Sequence, residues 1–286
     1  MNKGGTDMGN KSRRTVFGVF CSIVAVLFAL MELFPLAWSL LASFKGPKEV
    51  YKINPVVIFP TVWYVKNYST LFTASTHNFV RSYLLTLGCA LGFSVMAIFF
   101  NSIAAYAFAR LDFRFKKVLW AYILFPMFIP GITITITSYV VCNQLRLLDT
   151  LWVLILPGLV GSYAIFFVRQ FFLSMPRAVE EAALVDGAGR FRIYWNIFLP
   201  SSVSPLVLIG TGGFTGFWNG YLWPSLTITS PNKVQIMQVV RSFSNTYTTN
   251  AGAVYAGAVL VCLPPLIVFM IFQRYIIKGM LISGLK

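Results

Sequence analysis

Residues 180–200 read EEAALVDGAGRFRIYWNIFLP, a charged interlude between two apolar blocks that are each long enough to cross a bilayer. A plain connection between membrane helices needs no such internal order. Ser174 or Met175 is placed to cap a short helix entered at Pro176, and Glu180 and Glu181 lie near its positive N-terminal end. Asp186-Gly187 supplies a stop. A second short helix fits residues 190–198, where Phe191, Tyr194, Trp195 and Phe198 recur at helical spacing as one apolar stripe; Arg190, Arg192 and Asn196 mark the wetter side, and Pro200 closes the helix. Two helices about a glycine turn, carrying charge and aromatic rings at a membrane surface, predict a docking element for something outside the lipid.

Composition fixes the solvent. With 57% hydrophobic and 11% charged residues and a mean hydropathy of +0.74, the chain lies far from the mix of a soluble domain. A helix spans the hydrocarbon with about 20 apolar residues, and blocks of that size fall at 16–42, 80–109, 118–141, 151–173, 203–223 and 253–275. Barrel strands are shorter and alternate strictly, which these blocks do not. The expectation is an all-α integral membrane protein: a cytoplasmic tail over 1–15, then a six-helix domain over 16–286 with the interlude over 174–200. An even number of spans puts both ends on one side. Of the 23 Lys and Arg, fifteen fall on that side and eight opposite, four of these eight in the first long loop. The bias predicts cytoplasmic termini and a cytoplasmic interlude in the cell membrane.

Several functions are disfavoured. The net charge of +15 is spread over membrane-flanking loops without a recognition fold, which speaks against nucleic acid. The apolar run after Lys11, Arg13 and Arg14 exceeds a signal-peptide core and predicts a retained first helix. Cys21, Cys89, Cys142 and Cys262 have neither metal-ligand nor disulfide spacing and read as packing residues; no metal site is expected. His77 is the only histidine, no acid–base pair is evident, and no G-x-x-x-x-G-K-[ST] loop is present, so ATP hydrolysis would need another polypeptide. Glu32, just before Pro35 in the first span, is the clearest intramembrane charge; it has either a functional role or a place near the outer headgroups.

Glu181-Ala182-Ala183, three residues to Gly187, nine to Ile197 and then Phe198-Leu199-Pro200 resemble the EAA loop of ABC importer membrane subunits. AYAFARLDFR (105–114), LLDTLWVLILP (147–157), FFVRQFFLSMP (166–176), FWNGYLWP (217–224) and LPPLIVFMIFQRYIIKG (263–279) extend the resemblance to carbohydrate-importer permeases of the maltose-permease G-subunit type. Two positions depart from the family's habit: Gly220 stands where an acid is common, and Arg81-Ser82-Tyr83 lacks a frequent asparagine. The resemblance implies a type I ABC importer permease fold. It also implies a second homologous permease subunit, two cytoplasmic ATPase subunits that carry ATP and Mg, and an extracytoplasmic sugar-binding protein; no cofactor is expected on this chain. The residues it assigns to ATPase coupling are Glu180, Glu181, Ala182, Ala183, Asp186, Gly187, Ile197, Leu199 and Pro200. In this role small Ala182 and Ala183 permit close approach, Gly187 permits the turn and Glu181 pairs with a basic group of the partner. Without a partner the same loop would rest on lipid headgroups, with Tyr194 and Trp195 as anchors.

The transport path is less plainly written. Pro126, Pro130 and Gly131 interrupt the third span, and Thr133, Thr135, Thr137 and Ser138 follow. In the fifth span Thr215, Trp218, Asn219 and Tyr221 suit sugars, which stack on rings and bond at their edges. Thr133, Thr137, Thr215, Trp218, Asn219 and Tyr221 are the path candidates, with close helix packing as the alternative for the same residues. The loops at 43–78 and 231–250 read as connections with a weaker claim to touch a binding protein, Trp63, Tyr64 and Tyr68 resting on the outer surface. Two other functions fit a membrane bundle. A secondary transporter or channel acting without an ATPase would show internal repeats or several intramembrane charges, and an assembly factor would dock a protein without moving solute.

Overall fold

The structure, a computed structural model, describes residues 5–52, 55, 57–73, 78–244 and 251–284, with side chains from Phe17 to Ile277. Lys3, Lys11, Arg13, Arg14, His77, Lys278 and Lys286, the end of the 231–250 loop, and the side chains of the 1–15 tail lie outside that description. Regular structure among the described residues is helical throughout. The principal helices are α1 (Gly5–Ala42), α2 (Phe79–Arg110), α3 (Lys116–Leu124), α4 (Gly131–Gln144), α5 (Trp152–Ile155), α6 (Ser162–Ser174), α7 (Arg177–Val185), α8 (Arg190–Ile193), α9 (Val203–Trp218), α10 (Ile236–Ser242) and α11 (Ala251–Gly284).

Three apolar helices are unbroken over Phe17–Ala42, Phe79–Arg110 and Ala251–Ile277. Three more spans are bent pairs: Lys116–Phe128 with Gly131–Gln144 at 112°, Trp152–Gly158 with Ser162–Ser174 at 48°, and Arg190–Ser201 with Val203–Trp218 at 80°. The six expected blocks thus correspond to six spans when each pair counts once. Two boundaries differ from the expectation. Helix α1 is already helical at Gly5, so residue 15 marks no structural break. The fifth span ends at Trp218 and not at residue 223, because Asn219 and Gly220 turn the chain before a separate helix at Leu222–Thr227.

The chain forms two compact units, one of residues up to Leu71 with Phe243–Leu260 and one of Phe72–Ser242 with the chain from Val261. In the first, α1 buries none of its apolar window inside the chain, and Glu32 lies on that exposed surface. The loop after it is more than a connection. Asn67 Nδ2 donates to the Ser43 and Lys45 carbonyls at 2.8 Å each, and Tyr68, expected on the outer surface, is turned inward against the Ser43 hydroxyl at 2.8 Å. Trp63 is exposed as expected.

In the second unit α2 is the central post, packed against α6 and α9. Gly210 lets α9 come close to α2: a Cβ there would lie 2.6 Å from Ile98 Cδ1, which would have to move aside. Asn78 caps α2 by accepting the Arg81 N–H at 2.9 Å, so this helix does start on an asparagine, three residues before Arg81. Cys89 and Cys142 are buried, in keeping with packing, whereas Cys21 and Cys262 are exposed.

The broken spans keep their backbone satisfied through side chains. Proline lacks the N–H that an α-helix directs to the carbonyl four residues earlier. Pro157 vacates the Val153 carbonyl, which takes the Trp223 indole N–H at 2.8 Å. Pro265 vacates that of Val261, which takes the Trp218 indole N–H at 2.9 Å. At the 48° bend Asn101, 2% exposed, donates to the Leu159 carbonyl at 2.9 Å and accepts the Gly161 N–H at 2.8 Å. Such groups have no water to turn to in the hydrocarbon, which is why the breaks tolerate only internal partners.

Replacing Asn101 by Leu leaves the Leu159 carbonyl and the Gly161 N–H without these partners. At about 1–3 kcal/mol for each buried group left unpaired, we expect a clearly lowered thermal unfolding temperature of the detergent-solubilised chain; an unchanged melting curve would refute the role assigned to Asn101.

Candidate coupling site and transport path

Pro176 forces Met175 into extended backbone, and α7 begins at Arg177 without a side-chain cap. Neither expected cap operates. Ser174 still belongs to the end of α6, where its hydroxyl donates to the Phe171 carbonyl at 2.7 Å. The other end of α7 follows expectation: Gly187 has φ +79°, its N–H donates to Leu184 O at 3.0 Å, and Ala188 N–H donates to Ala183 O at 2.9 Å. This is the Schellman closure, in which glycine takes the left-handed position without steric cost.

The second helix is not a simple one. α8 runs into a π-helical turn at Tyr194–Phe198, closed by Leu199 N–H to Tyr194 O. Pro200 lies within the next turn, Leu199–Ser201, and the chain breaks only at Ser202. Pro200 therefore does not close the helix; having no N–H to offer Asn196, it goes with the widened register. The expected single aromatic stripe splits. Tyr194 and Phe198 are buried among Tyr106 and Phe172, with the Tyr194 hydroxyl 2.8 Å from Ser102 Oγ, whereas Phe191 and Trp195 stack on one another at the surface, 61% and 49% exposed.

The two acids of the motif part company. Glu181 is exposed, and Glu180 is 6% exposed. The Glu180 carboxylate accepts from Arg190 Nη1 at 2.5 Å and lies 3.7 Å from Arg110 Nη1. Arg110, at the end of α2, also donates to the Phe172 and Met175 carbonyls at 2.5 and 2.6 Å and lies over the Phe198 ring at 5.0 Å. The Phe172 carbonyl also accepts the Met175 N–H at 3.3 Å where α6 ends, so this guanidinium reinforces a helix C-terminus. Ala183, Ile197 and Leu199 pack against the core. Of the nine motif residues, Glu181, Ala182, Asp186, Gly187 and Pro200 remain outward, beside exposed Val185 and Phe191.

A cavity of about 340 Å³ lies beside the interruptions of the third and fourth spans and the end of the fifth. Its walls include Phe93, Thr135, Ser138, Gly216, Phe217, Gly220 and Trp223. Gly131, Ile134, Thr135 and Ser138 share one helical face, so Thr133 and Thr137 are not in this wall. Thr215 and Asn219 are likewise displaced by Gly216, Phe217 and Gly220; Thr215 and Asn219 are exposed, and the Thr215 hydroxyl donates to Thr211 O at 2.9 Å. Trp218 is a packing residue: it is fully buried, set edge-on to Tyr83 and stacked on Phe214, and its one N–H is committed to Val261. Tyr221 is half-exposed beneath the Arg241 guanidinium.

Asp149 escaped the sequence reading. It sits at φ 56°, a conformation aspartate tolerates. Its carboxylate accepts the Thr229 and Ser230 N–H groups at 3.0 and 2.9 Å and the Ser230 hydroxyl. Lys233 Nζ bonds its carbonyl and lies 3.5 Å from the carboxylate. The staple joins the loop after α4 to the loop before α10. The hydroxyl and then the amide of Ser230, with help from Thr229 and Lys233, hold the Asp149 carboxyl well below the usual carboxylate range. Only its place in LLDTLWVLILP hinted at any role.

The model of the family described as binding-protein-dependent transport system inner membrane component matches residues 97–282, well over half of the chain and the whole Arg110–Glu180–Arg190 cluster. The chain belongs to this family. The permease is 27% identical over 276 residues to the arabinooligosaccharides transport system permease protein AraQ of Bacillus subtilis (strain 168), covering 95% of this chain and 97% of that one. It is 30% identical over 272 residues to the sn-glycerol-3-phosphate transport system permease protein UgpE of Yersinia pestis, covering 93% and 96%. Its fold matches a chain in the crystal structure of a bacterial ABC transporter involved in the import of the acidic polysaccharide alginate, with a TM-score of 0.78 at 24% identity over 92% of this chain and 97% of that one. A chain of a bacterial alginate ABC transporter in complex with an alginate pentasaccharide-bound periplasmic protein matches at a TM-score of 0.60 and 15% identity. The protein is therefore a multi-pass membrane permease subunit of an ABC importer, and ATP hydrolysis belongs to a separate subunit.

Because the folded-state value of Asp149 lies below the unfolded one, its staple contributes in full above the ordinary value of 3.8 and is lost as pH falls through the depressed one. Amide exchange at Thr229 and Ser230, corrected for its intrinsic pH dependence, should show the same protection at about pH 7 and about pH 5. Asp149→Asn should lower that protection by roughly tenfold, the factor for about 1.4 kcal/mol of lost charge assistance; equal protection in the variant would refute the staple.

Proposed function

We propose that this permease forms half of the translocation pathway of a carbohydrate importer and is driven through the 174–200 segment by a cytoplasmic ATPase. The observation that carries this reading is the division of that segment. Its inner side, Glu180, Ala183, Tyr194, Ile197, Phe198 and Leu199, is committed to the permease's own core. Its outer side presents Glu181, Ala182, Asp186 and Gly187 with Val185 at 88% exposure and Phe191 at 61%. Exposed large apolar residues beside an unpaired acid suit a protein partner better than open cytoplasm. On this reading two ATPase subunits bind ATP and Mg, a second homologous permease completes the path, and an extracytoplasmic binding protein delivers solute. Both termini then face the cytoplasm, as the distribution of Lys and Arg favours.

The relatives carry arabinooligosaccharides or sn-glycerol-3-phosphate, and a structural neighbour serves alginate import; a carbohydrate or a polyol derivative is the solute class that fits them together. Thr135 and Ser138, with the Phe93 and Phe217 rings, give the cavity the mixed hydroxyl and aromatic wall such solutes use. We assign the path to this wall, and the opposite faces of α4 and α9, with Thr133, Thr137, Thr215 and Asn219, to contacts outside it.

Gly187→Val leaves open space around the new side chain but forces φ +79° on a β-branched residue, at about 1–2 kcal/mol. The variant chain should still accumulate in the membrane yet lose at least about tenfold in co-purified ATPase or in sugar uptake, since distortion of the turn moves Asp186 and Glu181 out of register. Wild-type uptake would count against docking at this segment. In proteoliposomes, Ser138→Cys should react with an aqueous thiol reagent and be protected by the transported sugar, and Thr133→Cys should show no such protection. The reverse pattern would move the path to the other face of α4.

A further inference from the structure

We infer that Glu180, with Arg110 and Arg190, is the mechanical joint of the permease: its carboxyl group ties the docking helix α7 to the central post α2, so that displacement of α7 moves α2 and the cavity wall it carries. This inference rests on the coupling reading of the 174–200 segment and goes beyond it by assigning transmission to residues that do not face the partner.

The chain on its own leaves α7 loosely attached. Its covalent links are the extended turn at Met175-Pro176 and the Gly187-Ala188-Gly189 turn, and both are places where backbone bends easily. A push on Glu181 or Val185 would be absorbed at these two turns unless a further attachment resisted it. The packing of Ala183 against the core is one, and Glu180 supplies the polar one. It is the buried residue of α7, and its two oxygens are divided between Arg190 Nη1 at 2.5 Å, across the glycine turn, and Arg110 Nη1 at 3.7 Å. Arg110 has 4% of its side chain exposed and is held on two further sides, by the Phe172 and Met175 carbonyls and by the Phe198 ring. A planar guanidinium fixed on three sides transmits displacement with little slack. From Arg110 the path is covalent and helical along α2 to Phe93, which lines the cavity and touches Phe217 of α9. Glu180 is thus a positioning residue, and Glu181, one residue away on the exposed side, meets the partner.

The test uses the assembled complex in proteoliposomes, with Ser138→Cys introduced into a chain lacking its four native cysteines. The labelling rate of the introduced thiol is compared with and without ATP, Mg and vanadate. Co-purified ATPase is measured on the same samples. In the parent chain nucleotide should change the rate by about fivefold or more, and in Glu180→Gln by less than about twofold, with the ATPase still bound. Arg190→Gln, which alters the half-exposed partner and leaves Arg110 in place, keeps the test open should Glu180→Gln fold poorly; it should shrink the response in the same direction. A purely structural role would reduce yield and leave the nucleotide response of the folded fraction intact, which overturns the joint. So does loss of bound ATPase in both variants, because the cluster would then build the dock and not transmit through it. A parent chain that neither binds ATPase nor responds to nucleotide overturns the coupling reading and this inference together; a parental response that survives Glu180→Gln overturns this inference alone.

Discussion

A carbonyl vacated by proline inside a membrane helix must find another donor, and much of this fold follows from how two such carbonyls, and one at a helix end, are served. Val153 and Val261 each stand four residues before a proline, Phe172 stands where α6 ends, and each accepts an N–H from a side chain on a different element: Trp223, Trp218 and Arg110 in turn. In water the same carbonyls would be solvated at little cost. In the hydrocarbon or a dry core, leaving one unpaired costs about 1–3 kcal/mol, so the donor's position becomes part of the fold. Each donor is long and rigid or held by packing, and each ties one helix to a neighbour.

Arg110 differs from the two tryptophans in carrying charge. Serving the Phe172 carbonyl brings a cation to the base of α2 where little water reaches it, and a buried cation needs an acid. Glu180 answers that need and thereby draws α7 inward. Burial of the pair is weak support for stability, since desolvation offsets much of the attraction. Its worth lies in geometry: the first acid of the EAA-type stretch is taken up internally, and the second stays exposed. An uncharged donor at position 110 could serve the carbonyls equally well but would leave α7 without a reason to lie in one place.

The features legible in the sequence were those with local causes. Six apolar blocks, the break at Pro130 and the stop at Gly187 depend on residues next to one another, and periodicity and turn chemistry report them. What stayed hidden depends on partners far apart in the chain. Nothing local distinguishes Glu180 from Glu181, because burial of the former is decided by Arg110, distant in sequence. Trp218 looked like a sugar platform by residue type, and only the carbonyl freed by Pro265 explains why its N–H is already engaged. Thr133 and Thr135 are equally polar; α4 has to be placed against α9 before one face becomes a wall. Asp149 looked like an ordinary loop acid because its ligands lie about the 229–233 turn.

Rigidity and glycine coexist along this route for a physical reason. Gly210 lets α9 approach α2 until Ile98 fills the space its side chain would take, and close-packed interiors transmit displacement because their atoms have nowhere else to go. Farther along the same helix, Gly216 leaves room where the cavity opens. One small residue thus serves opposite ends on α9, tight contact with the post at one level and open space at another. A motion delivered at the base of α2 would run along a continuous helix to the cavity, where prolines and glycines interrupt the third and fourth spans. On the proposed reading the helix is continuous where displacement would pass and the spans are broken where solute would pass.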